Sequence, residues 1–211
     1  MFSKLIIAAA FEPEIEALRA TMSSDRRFEF LVCGVGSIEA AAKTAQYLTI
    51  SSESNRAVIF VGSLGSSTRD LPINSLVSAS TVRLATVEDN SSYLVPTMKS
   101  DFAADIKISN IFPESQIHSL AVRSTMRITQ TPGLAAALAK QSDTTCENLE
   151  LFGVAMACKE LQVPWGSLGV VTNYCFENAH QEWKDNYRNA AGMISEFFNL
   201  NREKFFAFKA K

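Results

Sequence analysis

The feature that most constrains this chain is the alternation of short, continuously apolar runs with helical stretches. Six runs have strand length: residues 4–10, 29–34, 57–63, 75–82, 117–124 and 167–172. They lack the polar–apolar alternation of a half-exposed strand, so they suit a sheet covered on both faces. Helical patterns occupy 13–22, 38–48, 132–141, 151–161 and 179–198. In the first, Ile15, Leu18 and Met22 recur along one face, and Pro13 sits where a first-turn proline is tolerated. The expected fold is α/β: a single-domain three-layer sandwich over residues 1–211, with a mixed central sheet flanked by helices. Segments 51–56 and 89–92 are polar and read as loops. The tail from Asn201, with Phe205, Phe206 and Phe208 among lysines, reads as a short closing helix or a frayed end.

Charge narrows the partners. A net charge of −2 gives no basic footprint for nucleic acid or an anionic membrane, and neither is expected as a partner. The apolar run after Lys4 is short and is followed at once by Glu12, Glu14 and Glu16, so it reads as a first buried strand rather than a signal peptide. The expected location is the cytoplasm. Cys33, Cys146, Cys158 and Cys175 show no C-x-x-C spacing, and His118 and His180 are the only histidines. Buried, reduced thiols are expected; no metal and no cofactor is.

Ligands of α/β sheets bind at the carboxyl ends of strands. Four such ends carry suggestive residues: Phe11-Glu12-Pro13-Glu14, Gly34-Val35-Gly36-Ser37, Gly62-Ser63-Leu64-Gly65-Ser66-Ser67 and Thr172-Asn173. The Gly-x-Gly of the second lacks a third glycine, since Glu39 stands there, and reads better as a tight strand-to-helix turn than as a dinucleotide cradle. In the third, two glycines would let backbone approach a flat ligand closely. No Gly-x-Ser-x-Gly elbow is present, and both histidines read as structural or surface residues. Glu150 stands out as a carboxylate inside the apolar run Asn148–Ala155. It is either a first-turn glutamate facing the helix dipole or a functional group.

Taken together, these segments resemble the methylthioadenosine/S-adenosylhomocysteine nucleosidases and futalosine hydrolases of the nucleoside phosphorylase superfamily. The likeness runs from Lys4 to about Phe198 and is carried by AAAFEPEIEAL, CGVGSIEAAAKTAQYL, VIFVGSLGSS, ENLELFGVAMACKELQVPW and VVTNYC, in that order. It implies a nucleoside phosphorylase-like fold and hydrolysis of the N-ribosidic bond of a purine nucleoside. Carried over by position, Glu14 matches the glutamate that activates water, and Ser63 the loop serine near that water and the ribose. Leu64 and Gly65 continue the same loop. Glu150 matches the glutamate that binds the ribose 2′- and 3′-hydroxyls, Leu149 replaces a methionine under the sugar, and Asn173 takes the base-reading place. Met126, Arg127 and Ile128 fall in the stretch that stacks on and reads the purine. The resemblance also implies a homodimer, in keeping with 14 phenylalanines.

Three departures bear on activity. Val61 stands just before the Gly-Ser-Leu-Gly loop, where many phosphorylases carry a phosphate-binding arginine, which points to water as nucleophile. Asn173 replaces the aspartate of adenine-specific members and suits a 6-oxopurine of the futalosine type. Gly169 stands where the nucleosidases carry an arginine that organises the water site, and Phe152 adds bulk near it. An adenine-specific nucleosidase and a non-catalytic nucleoside-binding homologue are the alternatives.

Overall fold

A computed structural model describes residues 2–51, 53, 55–85, 100–113 and 116–207. The described chain runs β1 (Lys4–Ala9), α1 (Glu16–Met22), β2 (Phe28–Val32), α2 (Ser37–Ile50), β3 (Arg56–Ser66), β4 (Leu76–Leu84), β5 (Asp101–Ala103) and α3 (Ile108–Ile111). It continues through β6 (Ile117–Ser124), α4 (Pro132–Ser142), β7 (Cys146–Glu147), α5 (Leu151–Glu160), β8 (Trp165–Tyr174) and α6 (Ala179–Ala207).

The strands form one mixed sheet in the order β2-β1-β3-β7-β6-β4-β5. β8 runs parallel to β3 and antiparallel to β4, so the sheet curls into a ring of β3, β8, β4, β6 and β7. The continuously apolar runs have the expected cause. Along β1, Leu5, Ile7 and Ala9 pack with α1 and α6 residues, while Ile6 and Ala8 pack with α2 and α5 residues on the other face. The fold is thus the expected α/β sandwich of helices on both sides of a mixed sheet.

Several boundaries differ from the sequence reading. The first helix does not start at Pro13. Glu12–Glu14 form a 3-10 turn, Ile15 leaves helical geometry at φ −122°, and α1 begins at Glu16. That irregularity turns Glu14 inward and leaves Glu12 outside, paired with Arg19 at 2.9 Å. The Gly62–Ser66 loop is not a loop: β3 continues through it to Ser66, with a register shift against β8 at Leu64/Gly65. α6 continues past residue 198 to Ala207 because Phe205 and Phe206 are buried on it. Phe208 and segment 89–92 lie outside the described residues. The short strands β5 and β7 and the four-residue α3 carry too few residues for a periodic signal.

α2 and α5 cross closely. A Cβ placed on Gly153 would lie 2.0 Å from the Ser37 carbonyl oxygen, so only glycine fits. The Ser37 hydroxyl also donates to the Leu149 carbonyl at 2.6 Å. This contact fixes the start of α5, and with it Glu150, against the glycine turn after β2.

Candidate active site

One cavity of about 400 Å³ opens at the carboxyl ends of β1, β3 and β8. All four suggestive strand ends reach it, through Ala10, Phe11 and Glu14, through Val35, through Ser63, Leu64 and Gly65, and through Asn173. Ile128, Leu149 and Glu150 complete the expected set. Met126 and Arg127 do not enter. Both side chains are exposed, and Met126 borders a separate groove between α2 and α5. The turn after β6 lets only Ile128 point inward, because Thr129 next to it is tied to Glu147. Phe152 is not at the site either; it packs on Phe102 with ring centroids 5.1 Å apart.

Glu14 is buried and held by three donors. The Ser63 N–H and hydroxyl each donate to Oε1 at 3.0 Å, and the Ala10 N–H donates to Oε2 at 3.3 Å. A Cβ on Gly62 would lie 3.1 Å from both carboxylate oxygens, so glycine there lets Glu14 lie flat on β3. Burial, then the nearby Glu150 charge, push its carboxyl up to about 7, against the donors from Ser63 and Ala10. A proton acceptor poised near neutrality is what general base catalysis needs.

Glu150 directly precedes α5. Its Oε1 accepts the Gly36 N–H at 2.9 Å, so the glycine turn serves as a carboxylate clamp. Gly34 and Gly36 both have positive φ, at 89° and 85°, and Glu39 folds back to accept the Val35 N–H at 3.1 Å. Asn148 holds the other side: its Oδ1 accepts the Glu150 and Leu151 N–H groups, and its amide donates to the Ser63 carbonyl at 3.2 Å. Desolvation raises the Glu150 pKa as well. Of the two readings of Glu150, the burial and cavity position favour the functional one.

At the opposite end, the Asn173 carbonyl accepts from the Thr172 hydroxyl at 2.9 Å and its amide donates to the Tyr174 carbonyl at 3.3 Å. One N–H and one lone pair remain for a ligand. Gly169 lies deeper in β8, where a Cβ would stand 2.7 Å from Leu64 Cδ1. Leu64 therefore fills the room that a side chain at 169 would need.

Sequence reasoning missed part of the lining. Phe11 and Trp183 form an aromatic wall at 5.9 Å, extended by Tyr187 and by His180 stacked on Trp183 at 5.6 Å. His180, read as a structural or surface residue, is exposed yet borders the mouth of the cavity. Glu147 and Asn148 also line it, and only their adjacency to Glu150 could have flagged them.

No lysine or arginine lines the cavity among the described residues. The four cysteines are buried and free, and burial pushes the Cys33 thiol up to about 12, so it is no nucleophile. Among the described residues no group of three His, Cys, Asp or Glu is placed to hold a metal, and no helix is long and apolar enough to cross a membrane.

Helices on both faces of a mixed sheet, with a cavity at the strand ends, define an α/β class of fold. No protein-family model matches the sequence, and no curated protein matches it. Solved structures do. A 5′-methylthioadenosine/S-adenosylhomocysteine nucleosidase variant from Helicobacter pylori, with 5′-methylthioadenosine in its active site, superposes with TM-score 0.83 at 18% identity, covering 97% of this chain and 100% of that one. Futalosine hydrolase from the same organism gives 0.83 at 17%, covering 93% and 97%. The nucleosidase from Neisseria meningitidis gives 0.79 at 20%, covering 92% and 98%. At such identities the likeness establishes the fold.

Proposed function

We propose that this chain hydrolyses the N-ribosidic bond of a purine nucleoside. The observation that carries the reading is the convergence of Glu14 and Glu150, distant in sequence, on one largely apolar cavity that also holds Ser63 and Asn173. The structural neighbours support it, since one holds a purine nucleoside in its active site.

The chemistry follows from the positions. Cleavage of the C1′–N9 bond leaves its electron pair on the purine and positive charge on the ribose ring. Glu14 takes a proton from a water that attacks C1′. The Glu150 carboxylate accepts hydrogen bonds from the ribose hydroxyls, and both carboxylates offset the developing sugar charge. The purine takes up a proton from solvent at N7 as it departs; Asn173 accepts that N7–H and donates to O6, a pattern that suits a 6-oxopurine nucleoside of the futalosine type. Water is the nucleophile in this reading, supported by Val61, which is buried in the core, and by the lack of a lysine or arginine in the cavity lining among the described residues. Leu64 over Gly169 favours a second reading, a nucleoside-binding homologue without turnover, since the water site then lacks its family arginine.

A homodimer is part of the proposal. Ile38, Met126 and Met156 are exposed around an apolar groove between α2 and α5, and Val35, which lines the cavity, is exposed beside it. A second copy covering this face would border the pocket. Light scattering at micromolar concentration is expected to give about twice the chain mass; a strict monomer contradicts the shared border.

Base release is expected to proceed equally with and without phosphate and to yield free ribose. Glu14→Gln should keep ligand affinity and lower turnover by about 10²–10⁴. Glu150→Gln should weaken ligand binding as well, because it removes ribose contacts. Base release that requires phosphate contradicts hydrolysis. Binding without release by the unmodified protein leaves the binding homologue.

Asn173→Asp is expected to move base preference from hypoxanthine toward adenine by about tenfold, the effect of one buried polar mismatch. Calorimetric titration of both bases into both proteins measures it. An unmoved preference removes Asn173 as base reader.

A further inference from the structure

Glu147 does not figure in the reaction above, yet its carboxylate is buried at the base end of the cavity. The sheet register sets a row there. Asn173 in β8 pairs with Gly65 in β3, Gly65 pairs with Glu147 in β7, and Glu147 pairs with Arg123 in β6. Register partners on neighbouring strands project to the same face. Gly65 has no side chain to fill the row. A Cβ there would lie 3.0 Å from Asn173 Nδ2 and from Cys175 Sγ and 3.3 Å from Glu147 Cγ, so these side chains close over the glycine. The amide and the carboxylate therefore stand side by side in the lining of the cavity.

The carboxylate is fixed from behind. Thr129 donates its N–H to Oε1 at 2.8 Å and its hydroxyl to Oε2 at 2.6 Å, and Arg123 Nη2 donates to Oε2 at 3.0 Å. Arg123 is fully buried; its Nη2 also reaches Cys175 Sγ at 3.6 Å, its Nε and Nη1 have no partner among the described residues, and Glu147 is its ion-pair partner. Three of roughly four acceptor positions on the carboxylate are used, and one remains. An ionised carboxylate accepts and does not donate.

We propose that Glu147 is a second base-reading residue that selects purines carrying hydrogen on N1. The inference rests on the purine nucleosidase reading and deepens it. In a 6-oxopurine, N1–H adjoins O6. With Asn173 on the O6 and N7 side, the N1–H faces Glu147. Adenine presents an N1 lone pair there, which meets a carboxylate with no proton between them. The site thus accepts hypoxanthine or guanine and rejects adenine by repulsion as well as by lost bonds.

Glu147 also anchors the turn that holds Ile128, so the test must separate reading from anchoring. The intact protein, Glu147→Gln and Thr129→Val are titrated calorimetrically with hypoxanthine, adenine and 1-methylhypoxanthine. The unmodified protein is expected to bind hypoxanthine at least about tenfold more tightly than the other two. Glu147→Gln can turn its amide toward adenine N1, and should shift the hypoxanthine-to-adenine ratio toward adenine by about tenfold. Thr129→Val loosens the anchor alone and should weaken both bases alike. A uniform loss in Glu147→Gln, with the ratio unmoved, overturns the inference while purine binding stands. If Glu147→Gln does not fold, equal affinity of the unmodified protein for hypoxanthine and 1-methylhypoxanthine overturns it instead. Failure to bind any of the three bases overturns the inference together with the nucleosidase reading.

Discussion

Two buried carboxylates facing one cavity are the constraint around which the rest of this structure is arranged. Neither Glu14 nor Glu150 has a salt-bridge partner among the described residues. Their charge is met by N–H groups and hydroxyls instead: Ser63 and Ala10 for Glu14, and Gly36 for Glu150. Moving a carboxyl from 4.5 to about 7 costs about 3 kcal/mol when it is ionised. On the proposed reading that cost is concentrated where a cationic sugar forms, and an arginine placed to relieve it would also cancel the field that stabilises such a sugar.

The local backbone serves this arrangement. A regular helix from Pro13 would keep its 3.6-residue periodicity through Ile15; the 3-10 turn breaks it and swings Glu14 onto Gly62. Gly36 aims its N–H at Glu150, and Gly153 lets α2 and α5 meet closely enough to hold that aim. Asn148 links the two acids, since it organises the backbone at Glu150 and bonds the Ser63 carbonyl beside Glu14. At the far end, Gly65 lets Asn173 and Glu147 close together over β3. Four glycines thus set where polar groups stand in an otherwise apolar pocket.

The sheet and the strand ends were legible because continuous apolar runs and glycine pairs are strong local signals. Glu14, Ser63, Leu149, Glu150 and Asn173 followed from their motifs, and all line the cavity. What escaped was set by contacts distant in sequence. Glu147 belongs to a two-residue strand with no periodicity, and its partner Arg123 lies 24 positions away. The aromatic wall needs α6 folded back over the turn after β1 to bring Trp183 to Phe11. Gly169 could be seen as a loss, but Leu64 as its filler could not, because the two meet only across paired strands. Met126 and Arg127 were placed by a loose positional match, and the tie between Thr129 and Glu147 turns them outward.

The central claim, that Glu14 is a buried acid poised near neutrality, can be tested without substrate. Its folded pKa of about 7 lies above the ordinary glutamate value of 4.5, so between these values the folded protein holds more protons than the unfolded chain. Stability is then fullest below 4.5 and falls as pH rises through 7. Glu14→Gln cannot ionise and escapes that loss. Urea denaturation of both proteins at pH 5 and pH 8 is expected to show the variant gaining about 2–3 kcal/mol on the unmodified protein between the two conditions. A difference that stays constant across this range would mean that Glu14 titrates as an ordinary exposed carboxylate, and the account of the site would fail.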